Sequence, residues 1–360
     1  MISHEVFIQL LSMFQENDIL REEEEELERQ ISSWKSATTG PPMVFVLKRA
    51  WGEEINPPFI QLVTWLINEE IDVIVENAII EEEGLVSYPG FGDVKSSLKI
   101  FKEEDERQID NIDFICCLGG DGTLLYASSL FQKFMPPILA FNFGSLGFLA
   151  SINFDDFESE LNNVLEGHAK IMLRARLRCI LTTKNNPDAL FEDEGLETNQ
   201  LVLNEVVIHR GSSPHLCNLD LYLDGKLITS VQGDGLILST PTGSTAYAAS
   251  AGASMVHPGV AAIMVTPICP HSLSFRPILV PATVEVKVAL SPNSRNAFAT
   301  VSYDGGHNFC QKLNLGDTLK VTTSSYSVPS ICGKKHCEVS DWCNSLAKDL
   351  QWNFNTKQKK

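Results

Sequence analysis

The stretch Leu118-Gly119-Gly120-Asp121-Gly122-Thr123 sets one carboxylate among three glycines, directly after the apolar run of residues 114–117. Glycine has no Cβ, so backbone N–H groups there approach a polyphosphate closely, and positive φ is open wherever the turn after a strand requires it. A carboxylate beside phosphates needs a task. Two are chemically sensible: holding a Mg²⁺ that bridges phosphates, or accepting the proton of a hydroxyl that attacks a γ-phosphoryl group. The loop lacks the Lys-Ser/Thr pair of a Walker A element and the G-x-G-x-x-G spacing of a hydride-transfer cofactor site, so kinase chemistry outranks oxidoreductase chemistry. The bland alternative is a tight strand-to-helix turn with a solvent-facing Asp121.

Two further constellations carry polar groups on apolar elements. The segment from Gly233-Asp234-Gly235 to Pro241-Thr242-Gly243-Ser244-Thr245-Ala246-Tyr247 runs from an apolar strand into a turn. Ser244 or Thr245 is placed to cap a small-residue helix over 246–253. Such a helix start offers N–H donors and hydroxyls to a nucleotide, and Tyr247 offers a ring to stack on a base or bond a ribose. Its bland reading is close packing of small residues. In Leu203-Asn204-Glu205-Val206-Val207 a polar pair interrupts an apolar strand. An unpaired buried carboxylate is costly, so Asn204 and Glu205 satisfy local backbone groups or face a ligand. Neighbours in a strand point to opposite faces, so both reach one ligand only at a strand end or bulge.

The elements that must position these groups follow from periodicity. Residues 1–36 read as helical, with the acidic run 22–26 on a solvated face, and 38–42 break the pattern as a linker. From Met43, apolar runs at 43–47, 71–76, 112–118 and 138–143 alternate with helical patterns at 59–69 and 124–133. That order predicts parallel strands with crossover helices, and ligands bind such sheets at the strands' carboxyl ends, where Gly119–Thr123 falls. After about Lys170 strand-like runs follow one another at 176–182, 201–210, 219–223, 226–231, 235–239, 284–290, 298–303 and 318–323. Asp224-Gly225 is a two-residue hairpin signal. Residues 185–199, acidic and polar, read as a mobile surface hairpin or loop, and 339–352 as a helix with Trp342, Leu346 and Leu350 on one face.

At 360 residues, two domains with separate cores are expected. The formal charge of −18 argues against nucleic-acid or anionic-membrane partners. No apolar run has the length of a membrane helix and no signal-peptide pattern opens the chain, which together predict a cytoplasmic protein. The nine cysteines form no regular framework, so reduced thiols are expected. Cys332, His336 and Cys337 are poorly spaced for zinc, and no structural metal is expected.

The glycine loop, Asn204-Glu205, the Gly233-to-Tyr247 motif and Pro270-His271-Ser272-Leu273-Ser274-Phe275-Arg276-Pro277, in that order, resemble the NAD kinase family in its eukaryotic cytosolic form. The resemblance covers most of residues 43–355. It implies ATP-dependent phosphorylation of the adenosine ribose 2′-hydroxyl of NAD to NADP, with Mg²⁺ accompanying ATP. Asp121 is then the proton acceptor, with Gly119, Gly120, Gly122 and Thr123 at the bound nucleotide. Asn204 and Glu205 match the pair that contacts ribose and base, and Asp234, Thr245, Ala246, Tyr247 and Ser250 match further dinucleotide contacts. The implied fold is a Rossmann-like α/β domain of the NAD kinase/diacylglycerol kinase type, followed by a β-rich, sandwich-like domain with the active site between them. The implied assembly is a homo-oligomer, a tetramer or dimer. The corresponding division is an acidic extension at 1–40, the α/β domain at 41–168, the β-rich domain at 169–335, and a C-terminal helix at 336–360 packing back on the α/β domain. Arg210, Lys226, His271 and Arg276 lie near the motifs, and the sequence does not select which reaches a phosphate. Two other readings remain: a lipid or sugar kinase sharing the loop, and a non-catalytic dinucleotide-binding regulator.

Overall fold

The computed structural model describes residues 41–49, 52–102, 105–143, 147–184, 197–306, 310–333, 338–348 and 350–353. The helix expected over 1–36 and most of the hairpin or loop expected over 185–199 lie outside them. The chain forms two compact units, one comprising residues up to Leu173 and from Val328 onward, the other Arg174–Ser327.

In the first unit, strands β1 (Met43–Lys48), β2 (Asp72–Val75), β3 (Leu98–Ile100), β4 (Phe114–Gly119) and β5 (Ile138–Asn142) form a parallel sheet in the order β5-β4-β1-β2-β3. The short β6 (Ile152–Asn153) pairs with β5. All six residues of β4 are buried, as expected of an inner parallel strand covered on both faces. Helix α1 (Asn56–Asn68) starts with prolines in its first turn, where their missing N–H costs nothing. It buries Phe59, Leu62, Val63 and Leu66, the i, i+3, i+4, i+7 stripe of a helix lying on a core. Helix α2 (Asp121–Leu130) follows β4 directly, and α3 (Phe157–Leu165) buries Phe157 and Leu161.

The remaining strands are β7 (Lys170–Thr182), β8 (Glu197–Val202), β9 (Glu205–His209), β10 (Cys217–Leu223), β11 (Lys226–Gly233), β12 (Gly235–Ser239), β13 (Ala262–Ile268), β14 (Ile278–Pro281), β15 (Val286–Leu290), β16 (Phe298–Tyr303), β17 (Gln311–Asn314) and β18 (Thr318–Cys332). In the second unit one sheet runs β11-β10-β15-β18 and continues through β7 to β8, while the other runs β14-β13-β12-β9-β16-β17 with antiparallel pairing throughout. A shared core takes Leu219, Leu221, Val286 and Val288 from the first sheet and Val206, Ile208, Leu236, Leu238, Ile263 and Val265 from the second. By period-two alternation, Glu205, Val207, Ile237, Ser239 and Thr266 stand on the opposite, outer face of the second sheet. There Val207, Ile237 and Ile268 pack with Ala248.

Several expected elements change. The strand expected over 201–210 is two strands, broken at Leu203-Asn204. Residues 197–199 belong to β8, which pairs antiparallel with β7 and so fits the hairpin reading of 185–199 rather than the loop reading. The strand expected over 318–323 extends to Cys332, and its end, at Ser330, pairs in parallel with β5 inside the first unit. The helix expected over 246–253 is a 3₁₀ turn, Thr242–Thr245, followed by the single turn Tyr247–Ser250. Asp224 and Gly225, at φ 46° and 75°, make the predicted hairpin turn. The C-terminal helix α4 spans Glu338–Lys348 and buries Leu346, whereas Leu350 lies beyond it and is exposed. Buried thiols hold at Cys116, Cys117, Cys179, Cys217 and Cys332, but Cys269, Cys310 and Cys343 are exposed.

Candidate active site

Asp121 occupies the first turn of α2, with Gly120 as the residue before it in extended conformation, φ −108° and ψ −162°. No residue from Gly119 to Gly122 has positive φ, so the turn itself does not explain these glycines. Gly119 is explained by packing, because a Cβ there would fall 2.1 Å from Thr123 Oγ1. At Gly120 and Gly122 a Cβ would meet nothing within 4 Å. Asp121 does not point free into solvent as the bland reading holds. Its Oδ2 accepts from Phe148 N at 3.0 Å, and Oδ1 accepts from Leu149 N at 3.0 Å and Ala150 N at 3.2 Å. Gly147 makes this approach possible, since a Cβ there would stand 1.9 Å from Oδ1. A carboxylate oxygen offers two lone pairs, so Oδ1 is filled and Oδ2 keeps one.

Arg49 brings a cation to the same end of the sheet. Its N–H donates to Leu118 O at 2.9 Å, and a Cβ on Gly119 would lie 3.2 Å from Arg49 Cβ. Its guanidinium pairs with Glu54, and both side chains are exposed. Next to it, Lys48 is buried and donates to Asn56 Oδ1 at 2.9 Å and Glu82 Oε1 at 2.7 Å, so its charge is committed to holding the segment after β1. Sequence reading missed both. The signal was available in Lys48-Arg49, two cations ending a buried parallel strand.

In the second unit the two remaining motifs meet. Asn204 and Glu205 sit at the break between β8 and β9, the strand-end geometry required for both to serve one ligand. Thr240 N donates to Asn204 O at 2.9 Å, and Thr240 Oγ1 donates to Leu203 O at 2.6 Å. Gly243 lies against this backbone, where a Cβ would come within 2.2 Å of Asn204 O. From the other side Asp304 accepts three consecutive N–H groups, from Leu203 at 2.7 Å, Asn204 at 2.8 Å and Glu205 at 3.0 Å. Asp304 was not found in the sequence. Its trace there was an aspartate before Gly305-Gly306 at the end of an apolar strand.

Glu205 is buried, and its Oε2 has no hydrogen-bond partner among the described residues. Burial pushes its carboxyl up to about 8, with the charge of Asp304 adding to the effect. Burial also raises Asp304, to about 6, against the lowering pull of its three N–H donors and of fully buried Arg176. At neutral pH Glu205 is therefore mostly protonated and able to donate a hydrogen bond. Ser239, directly opposite Glu205 across β9 and β12, and Thr266 on β13 are also buried hydroxyls without a described partner.

The other expected contacts divide. Tyr247 and Ser250 lie exposed three residues apart on one turn, sharing a face. Ala246 is half-buried at the start of that turn. Neither Ser244 nor Thr245 caps a helix. Ser244 is buried and accepts from Val256 N at 2.8 Å, which ties down the following loop, and Thr245 Oγ1 donates to Thr242 O at 3.1 Å. Asp234 pairs with Arg210, Nε to Oδ1 at 2.7 Å, and Arg210 also donates to Ser213 O at 2.5 Å, so this arginine is engaged locally. His271 and Arg276 are exposed. Among the described residues no group of three or more His, Cys, Asp or Glu is arranged to hold a metal. No helix there is long and apolar enough to cross a membrane.

A parallel-sheet α/β unit with a glycine loop at its carboxyl edge, followed by an antiparallel β-sandwich unit, defines the class of protein. Residues 46–169 match the ATP-NAD kinase N-terminal domain and residues 203–332 the ATP-NAD kinase C-terminal domain. The chain belongs to the ATP-NAD kinase family. It is 44% identical over 273 residues to the ATP-NADH kinase of Saccharomyces cerevisiae, covering 74% of this chain and 54% of that protein. Against the chloroplastic NAD kinase 2 of Arabidopsis thaliana it is 39% identical over 341 residues, 92% of this chain but 32% of that protein. The chain thus spans about a third to a half of the length of these relatives. The mitochondrial NADH kinase of S. cerevisiae is 35% identical over 293 residues, 77% of this chain and 67% of that protein. The crystal structure of yeast NADH kinase complexed with NADH superposes with a TM-score of 0.76 at 31% identity, covering 90% of this chain and 91% of that one. The Archaeoglobus fulgidus NAD kinase in complex with ATP shares the fold, with a TM-score of 0.60 at 22% identity over 86% and 98% of the two chains.

Proposed function

We propose that this chain is an NAD(H) kinase, transferring the γ-phosphoryl group of ATP to the adenosine ribose 2′-hydroxyl of NAD. The observation that carries the reading is Asp121, whose carboxylate is fixed by three backbone N–H groups and keeps one accepting position on Oδ2. A ribose hydroxyl is a weak acid, so its proton leaves late in a loose phosphoryl-transfer transition state. Asp121 Oδ2 orients the 2′-oxygen and then takes that proton. Fixing the carboxylate beforehand removes the cost of ordering it during the reaction.

Gly120 and Gly122 let phosphates approach the backbone at the start of α2, and Arg49 supplies positive charge beside them. Mg²⁺ bound with ATP would supply neutralisation of charge developing on the transferred group. The second unit supplies recognition. Glu205 and Asn204 contact the ribose and base, while Tyr247 and Ser250 present a ring and a hydroxyl to the dinucleotide, and Asp234 adds a contact through its second oxygen. Exposed apolar residues on the edge strands β11 (Leu227, Ile228) and β14 (Ile278, Leu279) support self-association, to be read by light scattering.

The test is purified protein with Mg-ATP and either NAD or NADH, with the phosphorylated product detected by a strictly NADP-dependent coupled enzyme. Production of NADP or NADPH supports the reading. No product, with phosphate transferred to a sugar or lipid instead, replaces it with the wider kinase class that shares the loop. Tight NAD binding with no transfer to any acceptor indicates the regulator.

A further inference from the structure

We propose that Asp304 and Thr240 form a two-sided clamp on the backbone of residues 203–205, and act as positioning residues that set the Asn204 and Glu205 side chains for the dinucleotide. This role rests on the NAD(H) kinase reading and names what orients its recognition pair.

The runs Leu201-Val202-Leu203 and Val206-Val207-Ile208 flank the polar pair Asn204-Glu205, and their strand propensity favours one unbroken strand through it. The strand is nevertheless broken at Leu203-Asn204. In an unbroken strand, adjacent Asn204 and Glu205 would project to opposite faces. A break removes that constraint but strands backbone groups that a ladder would have satisfied, and such groups are costly when buried. The clamp satisfies them. Three successive N–H groups go to the carboxylate of half-buried Asp304, whose own N–H donates to Glu205 O at 3.0 Å. Two successive carbonyls, of Leu203 and Asn204, go to Thr240. The same Thr240 hydroxyl accepts from Gly243 N at 3.0 Å, which draws the turn leading to Tyr247 onto Asn204.

All of these contacts are made by main-chain atoms of residues 203–205, so both side chains stay available. Desolvating the Asp304 carboxylate is costly, and fully buried Arg176 offsets part of that cost. A neutral ladder would have satisfied the same N–H groups at lower cost. The use of one desolvated carboxylate for three consecutive N–H groups identifies the break as the feature being held.

The test is steady-state kinetics of Asp304→Asn and Thr240→Val, with separate KM values for NAD and Mg-ATP. Asp304→Asn turns one acceptor oxygen into an NH₂ group facing N–H donors, and Thr240→Val removes the hydroxyl at similar volume. Each is expected to raise KM for NAD about tenfold while KM for Mg-ATP stays within about twofold, the factor that ~1.4 kcal/mol of lost orientation gives. Thr240→Ser, which restores the hydroxyl, is expected to bring KM for NAD back. Support for the fold alone would lower the melting temperature and the active fraction and leave KM for NAD unchanged. Folded variants with the wild-type KM for NAD overturn the proposal, and if Asp304→Asn does not fold, Thr240→Val decides. Wild-type protein that phosphorylates neither NAD nor NADH sinks the kinase reading itself, and this role with it.

Discussion

A Cβ built on Gly243 would stand 2.2 Å from the carbonyl oxygen of Asn204, an oxygen that already accepts from Thr240 N. Gly243 has no positive φ, so close approach alone dictates glycine here. The contact lies where the Asn204-Glu205 segment meets the turn of residues 240–245, and neither backbone can retreat without breaking a hydrogen bond. Gly243→Ala is therefore expected to destabilise the protein by ~3 kcal/mol, at the upper end for overpacking. A chemical-denaturation midpoint close to that of wild type would show that this junction yields.

Asp121→Asn separates binding from chemistry. The amide keeps one carbonyl oxygen, which the two donors Leu149 N and Ala150 N will claim. Its NH₂ group then faces Phe148 N and no longer accepts a proton. Turnover should fall by roughly 10³-fold or more, while the Kd for NAD changes less than about threefold. Stability should fall by ~1–2 kcal/mol through the donor–donor contact. Near-normal NADP formation by a folded variant would remove Asp121 from the role of proton acceptor.

Arg49→Ala addresses the cation beside the loop. Its pairing with Glu54 is exposed on both sides, so breaking it should cost at most ~0.5 kcal/mol of stability. Loss of a charge facing the triphosphate should instead raise KM for Mg-ATP about tenfold and leave KM for NAD nearly unchanged. Equal KM values for Mg-ATP in variant and wild type would assign Arg49 to the surface.

How much of this was legible follows from the range of the forces involved. Buried parallel strands such as β4 announce themselves, because a strand covered on both faces must be apolar throughout. The glycine loop was legible as a candidate site by residue type, although Gly119 serves packing, Gly120 and Gly122 leave open space, and none takes the positive φ the turn suggested. The break at residues 203–204 was not legible as a break. It is held by Asp304, a hundred positions away, and by Thr240, so residues 201–210 alone read as one strand. The same holds for Ser244, whose partner Val256 is reached only after the chain has turned back, so its hydroxyl read as a helix cap.

The Glu205 carboxyl links the site to stability. Its folded value is raised to about 8 from an ordinary 4.5, so the folded state holds its proton more tightly than the unfolded chain. That contribution is fully present below pH 4.5 and is lost as pH rises through about 8. Asp304 acts in the same sense over a lower window, from 3.8 to about 6. Beyond burial, the Asp304 charge raises Glu205 and Cys179, Arg176 lowers Asp304, and Tyr326 and Tyr303 stand next to Arg176 and Cys179 in turn. The unliganded wild type should accordingly lose stability as pH rises from 4.5 through about 8, whereas Glu205→Gln, which has nothing to ionise at this position, should hold nearly level above about pH 6. At pH 4 the two proteins should melt within a degree or so of each other, and at pH 8.5 the variant should be the more stable by roughly 5 kcal/mol, the rise from 4.5 to about 8 taken at about 1.4 kcal/mol per pKa unit. Calorimetric melting curves across that range check the sign, and parallel curves for the two proteins would mean that Glu205 is not protonated in the free protein at neutral pH.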